Sequence, residues 1–203
     1  NIYRGRVVNV LPGMEAAFVD IGIQKNAYLY VKDATSNKFS SKGNVSIDDL
    51  VKIGDEIIVQ VIKEPIGNKG PKITTHLTIP GRYVVLTPFL EKLTVSKKIT
   101  DANEINRLLK IGSEICQKQM GMIMRTASKD VEKEYIEEDA KYLINIFNQI
   151  KRERYFSPTP KLLYEEVDMV HKLVRDVFIN SNYRLIINDR FKYENIMELL
   201  QII

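Results

Sequence analysis

The sequence predicts an α+β protein in which most strands come first and most helices come later. Between residues 1 and 77, short runs of alternating apolar and polar residues are separated by turns rich in Gly, Pro and Asn. From residue 130 onward, apolar residues recur instead at the i, i+3, i+4 and i+7 spacing of a helix. Residues 78–130 carry both patterns and predict a mixed region.

The composition is typical of a globular protein with a mild preference for anionic partners. Of the 203 residues, 44% are hydrophobic and 28% are charged, and the net charge is +4 with an isoelectric point near 9.0. Residues 1–77 contain ten Lys and Arg against eight Asp and Glu. A protein that coats a nucleic-acid duplex needs more positive charge than this, so we expect a local groove for a polyanion.

Cysteine usage and the lengths of the apolar runs indicate a cytoplasmic location. Cys116 is the only cysteine, which excludes an intramolecular disulfide and a cysteine-rich zinc site. No apolar run approaches the length of a membrane span, and no signal peptide begins the chain. The chain starts without Met on a strand-like run, so we expect a piece of a longer protein.

Residues 15–31 predict a β-hairpin with two different faces. Alternate residues of the two strands form an apolar inner face: Ala17, Val19, Ile21, Ala27 and Leu29. The outer face carries Phe18, Asp20, Tyr28 and Tyr30. Exposed rings above an apolar layer suit the stacking of unpaired bases, since every base has a π-face. Ordinary packing of a half-buried hairpin explains the same residues equally well.

Four further elements around the hairpin complete the prediction for residues 1–77. In chain order these are a strand at 2–10 with a Pro/Gly turn at 11–13, a polar segment at 32–44, a helical turn at 46–51, and strands at 56–63 and 72–77. Ser46 and Asp49 form a capping box for the helical turn. Five strands with a small helix before the fourth favour an OB-type barrel.

The remainder of the chain predicts strands and helices in mixed order. The strands are expected at 82–86, 93–96, 121–126 and 183–187, and the helices at 102–110, 130–156, 162–178 and 193–200. Asp101 and Glu104 form a capping box for the helix at 102–110. The helix at 130–156 has an apolar stripe composed of Ile136, Ala140, Leu143, Ile144, Phe147 and Ile150. The strand at 183–187 lies alone between helices and requires partner strands from elsewhere.

Four stretches of the chain resemble the bacterial ribonuclease E/G family of endoribonucleases. They are NIYRGRVVNVLPGMEAAFVDIG at 1–22, VQVIKEPIGNKGPKITT at 59–75, LTIPGRYVVLTP at 77–88 and GMIMRTAS at 121–128. The first stretch is an S1-type OB pattern. The GNKG, GRYVVL and GMIMRTA motifs in this order and spacing are far more specific to the family.

The resemblance implies a domain organisation and a missing catalytic part. It assigns 1–77 to a five-stranded S1-type OB-fold barrel, 78–170 to a mixed α/β 5′-sensor domain, and 171–203 to a partial RNase H-like α-β-α segment. In the family, a DNase I-like domain follows and carries the aspartates that bind Mg²⁺. That domain is absent from this sequence, so the resemblance implies that Mg²⁺ belongs to the parent enzyme and that this chain has neither catalytic nor metal-binding residues. Asp189 is therefore expected to be a loop or cap residue.

Two groups of residues match RNA-contacting positions of the family. Phe18 and Tyr28 match the S1 aromatics that pack against single-stranded RNA, and Lys69 matches a lysine on the same surface. An exposed turn lysine is the alternative interpretation of Lys69. Arg125 and Thr126 match the family's 5′-monophosphate pocket, where a guanidinium can bind phosphate oxygens bidentately and a hydroxyl can add one bond.

Other residues either line the same pocket or are expected to be structural. Gly81 and Val85 match pocket-lining positions, and a glycine backbone can supply a phosphate donor. Arg125 has an alternative role as a buried strand-end residue paired with a glutamate. Lys97 and Lys98 are expected to be a solvated pair. The remaining candidates are expected to have packing or structural roles: His76, His171, Cys116 and the aromatic-basic run at 151–156.

The sequence therefore predicts the RNA-binding portion of a ribonuclease E/G-like endoribonuclease that recognises single-stranded RNA and its 5′-monophosphate end. Family members assemble as homodimers and tetramers largely through parts outside this sequence, so a monomeric state is compatible with this piece. The main alternative is a stand-alone OB-fold RNA-binding module of the translation or ribosome-associated type. A second alternative is a scaffold role for residues 78–203 without a phosphate pocket.

Overall fold

The computed structural model describes residues 1–34, 45–116, 120–156, 158–166, 172–173 and 184–202. The chain divides into two compact units, Asn1–Glu165 and Glu166–Ile203. The larger unit contains a barrel and a second sheet with two long helices.

Five strands close into a barrel at the start of the larger unit. They are β1 (Ile2–Leu11), β2 (Ala16–Asp20), β3 (Ala27–Tyr30), β4 (Glu56–Lys63) and β5 (Lys72–Thr74). The strands pair in the order β1-β2-β3-β5-β4, and β4 returns to β1 to close the barrel. Only the β3–β5 pairing within the barrel is parallel. The predicted OB-type barrel is confirmed.

The barrel interior is filled by the inner face of the predicted hairpin and its neighbours. Completely buried side chains at its centre are Ala17, Val19, Ala27, Leu29, Ile47, Val59 and Ile73. Two short helices, α1 (Val31–Ala34) and α2 (Ile47–Leu50), follow the hairpin. The Ser46 N–H donates to the Asp49 carboxylate at 3.1 Å, as the predicted capping box requires.

Two boundaries in this part differ from the prediction. Residues 32–34 of the predicted polar segment belong to α1, and the rest of the segment, residues 35–44, lies outside the described residues. β5 ends at Thr74 rather than at residue 77. The Thr75 N–H donates to the carbonyl oxygen of Asp33 at 2.8 Å. The chain therefore stops pairing with β4 after Thr74.

The second sheet has four strands and carries the family-like motifs. It contains β6 (Ile79–Pro80), β7 (Val84–Pro88), β8 (Leu93–Val95) and β9 (Met120–Met124) in the order β6-β7-β9-β8. β8 and β9 are parallel. The helices α3 (Ala102–Ile115) and α4 (Lys133–Phe156) pack against this sheet. All six residues of the predicted α4 stripe are buried in the shared core.

The helix predicted at 162–178 is wrong at its start. Residues Lys161–Tyr164 form a strand, β10, which pairs antiparallel with β1 in the register Ile2↔Tyr164. Over Ile2–Arg6, one edge of β1 pairs with β4. The other edge of β1 pairs with β10 at Ile2–Arg4 and would otherwise have no partner strand there. An unpaired edge close to the end of α4 therefore overrides the weak helical pattern. Most of the remaining predicted helix lies outside the described residues.

The smaller unit is described over a few short ranges. Helix α5 spans Arg190–Ile202, longer than the predicted 193–200. The Asp189 carboxylate accepts the Lys192 N–H at 3.0 Å, so the predicted cap role of Asp189 is confirmed. Residues 184–187 are not a strand, which contradicts the prediction for 183–187 as far as the described residues go. Within the described part of the chain, no strand pairs with residues 184–187, and the side chain of Ile186 is exposed.

Within the described part of the chain, no helix combines the length and the apolar character that crossing a bilayer requires.

Candidate nucleic-acid interface

The two hairpin aromatics face each other across neighbouring strands. β2 and β3 pair in a register that places Phe18 opposite Tyr28. Their ring centroids lie 6.0 Å apart, with an interplanar angle of 66°. Both side chains are half-buried, whereas their inner-face neighbours Ala17 and Leu29 are completely buried. The alternation of a pleated strand therefore produces an edge-to-face aromatic pair on the outer surface of the barrel.

Lys69 lies on a loop that is docked against the turn of the hairpin. The side chain of Lys69 is exposed, and its N–H donates to the carbonyl oxygen of Ile66 at 3.0 Å. From the hairpin turn, the Lys25 ammonium donates to the carbonyl oxygen of Gly67 at 2.7 Å. A Cβ on Gly70 would lie 2.1 Å from the carbonyl oxygen of Asn26, so only glycine permits this approach. The loop of Lys69 and the turn preceding Tyr28 thus form one surface.

Arg125 connects the end of β9 to the turn that precedes β7. Its backbone N–H donates to the carbonyl oxygen of Tyr83 at 2.8 Å. Its guanidinium donates to the carbonyl oxygen of Gly81, and to that of Arg82 at 3.3 Å. The side chain is half-buried. The GMIMRTA and GRYVVL motifs, which are distant in sequence, therefore meet at this guanidinium.

Thr126 is exposed and pairs with a residue that the sequence did not indicate. Its hydroxyl lies 2.8 Å from the hydroxyl of Ser96. Ser96 follows β8 and Thr126 comes soon after β9, and the C-terminal ends of parallel strands meet at one edge of the sheet. Lys97 and Lys98 come next and are both exposed, as expected for a solvated pair. The position of Ser96 before two lysines was the only available sequence signal.

Asp139 of α4 organises the turn that contains Gly81. Its carboxylate accepts the N–H groups of three successive residues, Arg82, Tyr83 and Val84, at 3.1, 2.8 and 3.0 Å. A Cβ on Gly81 would lie 2.5 Å from that carboxylate, so glycine allows the close approach. The signal in the sequence was one acidic residue at the border of the apolar stripe, directly before Ala140.

Gly81 and Val85 occupy different environments. The Gly81 N–H donates to the carbonyl oxygen of Val84 at 2.8 Å, so the turn itself uses this donor. Val85 is half-buried on the outer face of the sheet, opposite Ile123 of β9. The structure thus brings Gly81 directly to Arg125 and places Val85 on the adjacent strand.

A carboxylate–guanidinium pair on α3 supports the loop after Arg125. Glu104 is 7% exposed and accepts two bonds of 2.7 Å from Arg107. Arg107 also donates to the carbonyl oxygen of Val131 at 3.0 Å, and the Asp130 N–H donates to Glu104 at 3.0 Å. The hydrogen bonds from Arg107 hold the pKa of the Glu104 carboxyl below its ordinary value.

These contacts correct the capping box predicted for α3. The Asp101 carboxylate accepts the Asn103 N–H at 2.9 Å, so Asp101 caps the helix as predicted. The assignment of Glu104 to that box is wrong. Its oxygens accept from Arg107 and Asp130 instead, because the charged guanidinium is a stronger donor than a backbone N–H.

Two of the remaining candidate residues, His76 and Cys116, have hydrogen bonds with nearby residues. The backbone N–H of His76 donates to the Thr74 hydroxyl at 3.0 Å, while His171 lies outside the described residues. The Cys116 thiol donates to the carbonyl oxygen of Met120 at 3.2 Å, and burial raises its pKa. Over the described ranges, no three His, Cys, Asp or Glu side chains come together as metal ligands.

Together these features define a class of protein: a five-stranded OB barrel with an aromatic outer face, joined to a second sheet that presents an arginine and two hydroxyls at one edge. Residues 78–203 match the model of the Ribonuclease E/G family. The chain therefore belongs to the ribonuclease E/G family, and the resemblance carried by the four motifs is confirmed.

Individual relatives extend the match to the barrel. The chain is 36% identical over 205 residues to Ribonuclease G of Salmonella typhimurium and to Ribonuclease G of Escherichia coli, in both cases over 98% of this chain. It is 33% identical over 202 residues to Ribonuclease E of a Nostoc species. The chain spans 42% of the length of each Ribonuclease G and 29% of that Ribonuclease E.

Proposed function

We propose that this chain is the RNA-holding portion of an endoribonuclease and that it binds single-stranded RNA on the outer face of the barrel. The observation that carries the proposal is the pairing of Phe18 with Tyr28 on that face, above a completely buried inner layer. A ring held in this way stacks on a base whatever its identity, with a contribution of about 1–3 kcal/mol per base. Lys69, on the loop docked beside the pair, supplies a counter-charge for a phosphate.

The second part of the proposal is a site for the 5′-monophosphate end of the RNA, formed by Arg125, Thr126, Gly81 and Val85. It is supported by the meeting of Arg125 with the turn of Gly81 and by the Thr126 hydroxyl beside that of Ser96. Because the Gly81 N–H is used within its own turn, the guanidinium and hydroxyl groups are the donors in this proposal. A site shaped for one phosphate excludes a triphosphate by size.

The cleavage reaction is assigned to the parent protein. The family resemblance implies Mg²⁺-dependent hydrolysis, and a bound Mg²⁺ would supply an activated water as nucleophile. The described residues offer no cluster of carboxylates that fits this ion, so no step of hydrolysis is assigned to them. We further propose that the parent acts in the cytoplasm, where it processes and degrades RNA as a homo-oligomer.

Binding of RNAs that differ only at the 5′ end tests this function. One single-stranded sequence with a 5′-monophosphate, a 5′-triphosphate or a 5′-hydroxyl is titrated by fluorescence anisotropy, with the label at the 3′ end. We expect the monophosphate to bind most tightly. Arg125→Ala should remove that preference, because a charge-assisted hydrogen bond contributes about 1.5–3 kcal/mol, roughly tenfold or more in affinity.

Arg152→Ala is the matched control, since Arg152 is an exposed arginine of α4. Equal affinities for all three RNAs would contradict the 5′-end site and favour a generic OB-fold module or a scaffold role for residues 78–203. Cleavage by this chain with Mg²⁺ would contradict the assignment of catalysis to the rest of the parent.

A further inference from the structure

The aromatic pair belongs to a longer row of residues that crosses the barrel. The strand registers place four residues side by side in the order Asn9, Phe18, Tyr28 and Lys72. The adjacent inner row contains Leu29 opposite Ile73, and both side chains are completely buried. Because side chains alternate along a strand, Lys72 shares the outer face with Tyr28. The row thus continues the aromatic pair with a cation.

Lys72 lies within reach of the sugar-phosphate backbone of a base stacked on Tyr28. Neighbouring strands are about 4.8 Å apart, and the flexible four-carbon stem of a lysine can span such a distance. The side chain of Lys72 is 34% exposed. A lysine beside a stacking ring is the arrangement by which single-strand grooves follow the RNA backbone.

The ammonium of Lys72 already forms an ion pair with a carboxylate. The Asp33 carboxylate lies 2.7 Å from it and is 23% exposed. Asp33 is held in place by its own backbone, because its carbonyl oxygen accepts the Thr74 hydroxyl and the Thr75 N–H, each at 2.8 Å. The Asp33 Oδ2 atom at this contact is buried, whereas the two side chains as wholes are partly exposed, so exchange for another anion requires the lysine to move away from the carboxylate.

We propose that Lys72 is a phosphate-contacting residue of the barrel face and that Asp33 competes with the RNA for it. Binding of RNA exchanges the Asp33 carboxylate for a phosphate oxygen at the Lys72 ammonium. The inference rests on the proposed RNA-binding function of the outer face. It gives the two members of one ion pair opposite effects on affinity, because Lys72 attracts the RNA and Asp33 both occupies the lysine and repels phosphate.

The test measures the affinity for a 5′-hydroxyl single-stranded RNA over a series of salt concentrations. Lys72→Gln should weaken binding about two- to fivefold. It should also reduce the slope of log affinity against log salt by about 0.7, the value for one phosphate contact on a single strand. Lys72→Arg should keep both quantities. Asp33→Asn should strengthen binding, and thermal unfolding verifies that each variant is folded.

Two variants separate the possible outcomes. Lys133→Gln breaks an ion pair of the same 2.7 Å length between α4 and Glu114 of α3, and should change neither affinity nor slope. Phe18→Ala should weaken binding without a change in slope, because a ring contacts no phosphate. If Phe18→Ala weakens binding while Lys72→Gln keeps the slope, or if Asp33→Asn weakens binding as Lys72→Gln does, the inference is overturned and the proposed function stands. If Phe18→Ala has no effect, the proposed function fails, and the inference fails with it.

Discussion

Asp139 satisfies three backbone donors that would otherwise lack partners in a half-buried turn. The N–H groups of Arg82, Tyr83 and Val84 all point to its carboxylate, and Gly81 leaves room for it. The same turn offers the carbonyl oxygens of Gly81 and Arg82 to the Arg125 guanidinium. One carboxylate on α4 thus determines the shape of the turn that positions Arg125.

Replacement of Asp139 by Ala should destabilise the protein, since the turn loses the acceptor of three hydrogen bonds. An unsatisfied buried donor costs about 1–3 kcal/mol, and we expect at least one such cost in the free energy of unfolding. Urea denaturation measures it. Glu138→Ala, at the exposed neighbouring position, is the control and should change stability little. Equal stability of the two variants would contradict this role of Asp139.

At the scale of elements, α3 is coupled to the loop after β9 through Glu104 and Arg107. The folded protein holds the pKa of Glu104 below its unfolded value, chiefly through the hydrogen bonds from Arg107. Glu104 therefore makes its full contribution to the free energy of unfolding above its pKa in the unfolded chain, about 4.3 for a glutamate. That contribution is lost as the pH falls through the lower pKa of Glu104 in the folded protein. The loop that carries Arg125 and Thr126 should loosen in the same acidic range.

Stability measured as a function of pH tests this coupling. Wild type should lose stability below about pH 4.3 more steeply than Glu104→Gln, which cannot titrate. Glu114→Gln serves as the control, because Glu114 is also paired with a cation but is 43% exposed, so its ion pair contributes little to stability. A Glu104→Gln profile parallel to that of wild type would show that Glu104 does not contribute to the acid dependence.

Elements with a strong pattern of their own could be predicted from the sequence. The hairpin alternation and the α4 stripe follow from local spacing, and both are confirmed. β10 could not be predicted, because its strand form depends on the open edge of β1, which lies at the start of the sequence. The roles of Ser96 and Asp139 could not be predicted for the same reason, since their hydrogen-bond partners come from distant strands and turns.

At the scale of the whole molecule, the barrel and the second sheet belong to one compact unit, and an apolar cluster outside the barrel interior joins them. Ile2 and Ile58 of the barrel pack in the same apolar cluster as Leu86 of β7 and Phe147 of α4. This continuity connects the aromatic face of the barrel with the edge that carries Arg125. The proposed function therefore assigns two contacts with one RNA to a single folded unit, one with its bases and one with its 5′ end.

Photochemical cross-linking of this chain to a single-stranded RNA with a 5′-monophosphate tests the central claim most directly. Mass spectrometry of the digested complex locates the cross-linked residues. We predict cross-links at Phe18 and Tyr28, which disappear in the double variant Phe18→Ala, Tyr28→Ala. Cross-links confined to the exposed tyrosines Tyr135, Tyr142 and Tyr155 of α4, with none in β2 or β3, would contradict the account.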